Sequence, residues 1–134
     1  MAATTTFNPK NTTINEDKLS GWLQDKVTGD LEELPGIGPA NKKKLEEGFH
    51  DAFFFNDFSI FIVCVIYIAG INNTYQIIGQ YLLLKNGSIQ DHQDAMYMWL
   101  KSVGVNSGRN NVILALAEKL DILIEGVYDA SLYE

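Results

Sequence analysis

The sequence predicts an all-α fold, a compact bundle of about five helices, from three recurring signals. Apolar residues repeat at three- and four-residue spacing around Leu19, Ile78, Trp99 and Leu116, a period that suits helices and not strands. Residues able to cap a helix precede these stretches, and glycines follow several of them. The chain has 134 residues, 46% of them hydrophobic, which is enough for one core but not comfortably for two.

Residues 1–12 are rich in Thr and Asn with little to bury, so they are expected to be disordered. Thr13 followed by Glu16 can form a capping box, and Leu19, Trp22, Leu23 and Val27 continue at helical spacing, predicting a helix over about 14–26. Thr28-Gly29 breaks it, and residues 30–34 make a short helical turn before Pro35. Pro39 stands at the first position of the next helix, where its missing N–H costs nothing, and Gly48 is placed to end it. Asn73 and Thr74 can cap a helix carrying Tyr75, Ile78, Tyr81 and Leu82. After the Asn86-Gly87 turn comes a stripe of Ala95, Met96, Trp99, Leu100 and Val103, closed by Gly104. Asn106 or Ser107 can cap the last helix, with Val112, Ile113, Leu116, Leu120 and Ile124 on its apolar face. The helical domain is thus expected over 13–126, with a tail at 127–134.

Residues 53–69 do not fit this pattern, being rich in Phe, Ile and Val with strand propensity and no helical amphipathicity. The uninterrupted part from Phe58 to Ala69 is shorter than the roughly 20 residues a bilayer needs, so no membrane insertion is expected. The opening Met1-Ala2-Ala3-Thr4 lacks the basic region and apolar run of a secretion signal, which points to an intracellular protein. Cys64 is the only cysteine, and His50 and His92 stand in unrelated contexts, so neither a metal nor any other cofactor is expected.

The chemistry concentrates in Leu34-Pro35-Gly36-Ile37-Gly38-Pro39. Two glycines around one apolar residue allow a tight hairpin with Ile37 turned inward as its anchor. The amides near Gly36, Gly38 and Ala40 then lie at a helix N-terminus, where unpaired donors and a partial positive charge suit a phosphate oxygen. Lys42, Lys43 and Lys44 follow within one turn and fan around the helix. This is the pattern of a helix-hairpin-helix motif, which holds the DNA backbone without reading bases. The net charge of -7 argues the other way, since DNA-binding domains usually carry a basic footprint. Contact depends on where the few cations and amides sit, however, and not on the total.

In these residues the chain resembles the barrier-to-autointegration factor family. Gly36-Ile37-Gly38 and Lys43-Lys44-Leu45-Glu46-Glu47-Gly48-Phe49 are similar to its G-I-G hairpin and K-K-L-E-E-x-G-F run, one residue shorter before the glycine. Gly79-Gln80-Tyr81-Leu82-Leu83-Leu84-Lys85 is similar to its G-Q-[FY]-L-x-L-K stretch, and Trp99-Leu100-Lys101 to its W-L-K. The likeness covers roughly residues 22–124 apart from one block, an apolar insert at about 49–74. Gly48 could continue at Ile71, or Ala52 at Tyr75. The insert's composition is what AT-rich codons give, which leaves an unspliced intron and a lineage-specific interaction hairpin as alternatives. Further departures are the longer N-terminus, Pro39 in place of an acidic residue, and the tail.

The resemblance implies a SAM-like, nuclear and partly cytoplasmic, homodimeric protein whose two hairpins face apart and bridge two double-stranded DNA molecules in chromatin. Gly36, Ile37, Gly38 and Lys44 would hold one stretch of backbone, with Asn106, Ser107 and Arg109 holding another. Gly79 and Leu82 would lie at the dimer contact, and nuclear-envelope or chromatin proteins would be partners. An interaction module of the same fold that has lost DNA binding is the alternative, favoured by the charge. Catalysis is not expected, because nothing near the hairpin supplies an arranged acid–base or nucleophile pair.

Overall fold

The last long helix organises the molecule. In the computed structural model, which describes residues 6–47 and 70–134, it spans Arg109–Leu123 and buries Val112, Ile113, Ala115, Leu116, Ala117, Lys119 and Leu120. A helix buried on several sides needs several neighbours. Four other α-helices are described, and we label the five in chain order: α1 (Glu16–Gln24), α2 (Pro39–Glu47), α3 (Thr74–Leu83), α4 (Ile89–Ser102) and α5 (Arg109–Leu123). Short 3-10 helices lie at Pro9–Asn11, Leu31–Glu33 and Ala130–Tyr133. No strand occurs among the described residues, so the fold is all-helical. α5 packs against α4, α1 and the first 3-10 turn.

Two contacts fix α1 on α5. The Trp22 indole donates to the Ala115 carbonyl at 2.9 Å. Lys119, only 7% exposed, donates its ammonium to the carbonyls of Trp22 and Asp25 at the end of α1 and lies over the Trp22 ring at 4.5 Å. A buried ammonium is tolerated there because the carbonyls left open at a helix C-terminus, and the ring face, are both electron-rich.

Several helix ends differ from expectation. α1 is capped by Asn15, whose side chain accepts from the Asp17 and Lys18 amides, and it starts at Glu16. Thr13 is engaged elsewhere, its amide donating to the Asn111 side chain at 2.9 Å. Asn73 caps α3 as expected, and Ser88 caps α4. α5 begins from Gly108 at φ 76°, with no side-chain cap, in place of Asn106 or Ser107.

The described parts of both terminal stretches, 6–12 and 127–134, belong to the fold, against the disorder expected for residues 1–12 and the loose tail expected for 127–134. Phe7 is 4% exposed and its amide donates to Asp94; Asn8 likewise donates to the Asn110 side chain. The Phe7 ring meets Tyr133 edge-on at 5.4 Å and Tyr128 at 6.3 Å. Val127 and Tyr128 are buried. Each stretch supplies the apolar partner that the other lacks, a source of burial that neither has alone.

Residues 70–74, expected inside the insert, are also part of the fold. Thr74 is fully buried, its amide donating to Gly29 and its hydroxyl bonding to the Asp30 carbonyl and the Glu33 carboxylate. The rest of the expected insert, Gly48 as the helix end, Cys64 and the apolar segment at 53–69 lie outside the described residues. Among the described residues no helix is long and apolar enough to cross a membrane, and no three His, Cys, Asp or Glu side chains group as a metal site.

Candidate nucleic-acid interface

The hairpin is built outward from its anchor. Leu31, Leu34 and Ile37 are buried, and the Ile37 amide donates to the Leu34 carbonyl at 3.1 Å, closing the turn. Gly38, Pro39 and Ala40 are exposed. The first hydrogen bond of α2 runs from the Lys42 amide to the Gly38 carbonyl. The amides of Ala40 and Asn41 therefore precede the intrahelical ladder, and Gly38 has no side chain with which to cap them.

The two glycines do different work. Gly36 has φ 95°, and a Cβ there would meet Val112 Cγ2 at 2.8 Å and the Gly108 carbonyl at 2.9 Å. Glycine at 36 is thus demanded by the fold. At Gly38 a Cβ would meet nothing within 4 Å among the described residues, and its φ is not positive. None of the described residues requires glycine there.

Asn41 brings together the two patches that the sequence placed 66 residues apart. Its side-chain amide donates to the Gly36 carbonyl and to the Ser107 carbonyl, both at 2.9 Å. Gly108 completes the joint, since its own Cβ would lie 2.9 Å from the Gly36 carbonyl. The starts of α2 and α5 therefore share one surface, and neither has a side-chain cap from its cap residue. Asn106 and Ser107 are exposed on it. Neither Asn41 nor Gly108 is singled out by the sequence as a site residue.

The cations are unequally available. Lys42 pairs with Glu32 at 3.7 Å and Asp30 at 4.0 Å, whereas Lys43 and Lys44 are exposed. The Lys44 stem passes Gly104, where a Cβ would meet Cδ at 3.3 Å. Arg109 is half-buried, donating to the Val105 carbonyl at 2.9 Å and the Tyr97 hydroxyl at 3.2 Å, with its guanidinium over the Tyr97 ring. It lines a polar cleft of about 280 Å³ with Thr13, Asn106, Gly108 and Asn111, and no carboxylate lines it. Behind the hairpin, burial acts to raise the Glu33 carboxyl, but hydrogen bonds from the Thr28 and Gly29 amides and the Thr74 and Thr28 hydroxyls outweigh it and hold its pKa below the ordinary value.

Gly79 lies exposed on α3, and a Cβ there would also meet nothing within 4 Å among the described residues. Leu82 is half-buried beside it, while Tyr75 and Leu83 are 59% and 63% exposed. Tyr75, Gly79 and Leu83 stand four residues apart and so share one face.

No family model, no curated protein and no solved structure matches this chain.

Proposed function

We propose that this chain is a protein of the barrier-to-autointegration factor type that holds double-stranded DNA by its phosphate backbone, regardless of sequence. The observation that carries the reading is Gly38. It is exposed at an uncapped helix start, with neither a steric nor a conformational reason for glycine, which fits a surface that another molecule's backbone must approach closely. Two further features support it. The start of α5 adds a second set of open amides next to the first, so two partial positive charges act on one anion path. Lys43 and Lys44 stand exposed beside it.

Gly36, Ile37, Gly38, Ala40, Lys43 and Lys44 form the hairpin side of the grip in this reading, with Asn106, Ser107 and Arg109 on the other. Arg109 acts mainly by orienting the α5 start, because its guanidinium is already engaged. A two-fold homodimer through Gly79 and Leu82 presents two grips and joins two duplexes, the arrangement that organises chromatin in a nucleus. The exposed Gly79 and Leu83 on one face of α3 support that contact, since a helix glycine that packs on nothing among the described residues costs about 1 kcal/mol without return. The net charge of -7 favours a second reading, an interaction module of the same fold.

Fluorescence anisotropy on several scrambled duplexes separates the two. The DNA reading expects equal affinity for all of them and a log-log salt slope of roughly -2 to -4, for about two to four phosphates neutralised per protomer. Absence of binding at low salt favours the interaction module, and a tenfold preference for one sequence excludes a backbone-only grip.

A further inference from the structure

The chain on either side of residues 48–69 meets as consecutive residues would. The Ile71 amide donates to the Leu45 carbonyl at 2.8 Å. Were Gly70 to follow Glu47 directly, that bond would join residues four positions apart, the step that repeats throughout an α-helix. Gly70 itself lies so close to the Glu46 carbonyl that a Cβ has no room, so glycine is required at the joint by the close approach of backbone. Three residues beyond Ile71, Thr74 is already locked to Gly29, Asp30 and Glu33. Gly70, Ile71, Asn72 and Asn73 thus suffice to connect α2 to α3, an ordinary length for neighbouring helices. The fold leaves no gap for residues 48–69 to span.

Those residues also differ in kind from the rest of the chain. They hold six of its seven phenylalanines and its only cysteine, yet no Leu, Lys, Arg, Glu, Gln or Pro. The genetic code explains the bias and marks its edges. Glycine codons begin GG and phenylalanine codons TT, so Gly48-Phe49 can be written G-GTTT, which contains the GT that opens a spliceosomal intron. Ala69-Gly70 can be written GCAG-G, which contains the AG that closes one. Just before that AG, the codons of Phe58, Ile60, Phe61, Ile62, Val63 and Val65 all carry T at the middle base, as a T-rich stretch translated in this frame would.

We infer that residues 48–69 are the translation of an unspliced intron, and that the working protein runs from Glu47 directly into Gly70. Excision between those marks removes a whole number of triplets. The first base of the Gly48 codon and the last two of the Gly70 codon then rebuild a single glycine. The frame is kept, and the glycine that the joint requires is kept with it. The inference is independent of what the hairpin binds, because it uses only the joint between α2 and α3 and the code.

Message from the source cells, amplified across this region and sequenced, should consist mainly of a product with one glycine codon between Glu47 and Ile71. Message that retains the codons of residues 48–69 throughout overturns the inference. At the protein level, the chain lacking residues 48–69 should show an undiminished helical circular dichroism signal and a melting temperature equal to or above that of the full chain. If the shortened chain is unfolded, the segment belongs to the core and the inference fails.

Discussion

Gly36→Ala is the substitution that most sharply tests how the hairpin is locked to α5. Alanine at φ 95° costs about 1–2 kcal/mol from backbone strain alone. Its methyl would also sit 2.8 Å from Val112 Cγ2, 2.9 Å from the Gly108 carbonyl and 3.0 Å from Asn111 Cβ. Two of these three belong to the packed start of α5 and one to the backbone just before it, so relief requires the hairpin to move away, an overpacking cost of about 1–3 kcal/mol. Together these give roughly 2–5 kcal/mol, a large part of the ~5–15 kcal/mol that holds a domain folded. At this chain length each kcal/mol moves the melting temperature by about 3–5 °C, so a fall of roughly 6–25 °C is expected. Gly38→Ala is the internal control. With open space and ordinary φ at that position, it should leave stability unchanged or raise it by about 0.4–1 kcal/mol. Thermal denaturation by circular dichroism reads both. Equal melting temperatures for the two variants would refute the claim that Gly36 is structural and Gly38 is not.

Asn41→Ala should lower stability by about 1–3 kcal/mol, because it leaves the Gly36 and Ser107 carbonyls without their shared donor; a urea midpoint like the parent's would show that the bridge holds nothing. Gly79→Glu should leave the helical signal intact and give a monomer by light scattering at micromolar concentration, with weakened DNA binding through lost avidity; a dimer that persists places the contact elsewhere. Burial first, and Lys85 second, hold the His92 pKa below its ordinary value against the hydrogen bond to the Tyr81 carbonyl. The unfolded chain then takes up a proton before the folded one does, so this contribution to stability is full above about pH 6.5 and is lost as pH falls through the lower folded pKa. An NMR titration placing His92 at or above the ordinary histidine value would contradict it.

What was legible in the sequence, and what was not, follows from how local each interaction is. Helical spacing revealed α3, α4 and α5, and the cap at Asn73, because these depend on residues within a turn or two. Ile37 was readable as the hairpin's inward anchor for the same reason. The bridge from Asn41 to Ser107 was not, since nothing near either residue encodes a partner 66 positions away. Gly108 as the start of α5 escaped because the requirement comes from the Gly36 carbonyl and not from its own neighbours. Phe7, Tyr128 and Tyr133 belong to stretches with too little apolar content to read as folded singly; Phe7 and Tyr128 are buried, and Tyr133 half-buried, against one another and the helices between.

The central claim is that the exposed backbone around Gly38 meets a DNA phosphate. Gly38→Glu tests it most directly, because the structure leaves room for the side chain, so a change in binding cannot be laid to unfolding. The account predicts that the variant keeps the parent's circular dichroism spectrum and lies within about 1 kcal/mol of its stability, the range of most surface changes, yet fails to shift the anisotropy of a labelled duplex that the parent binds. A folded Gly38→Glu chain that binds the duplex as tightly as the parent would contradict it.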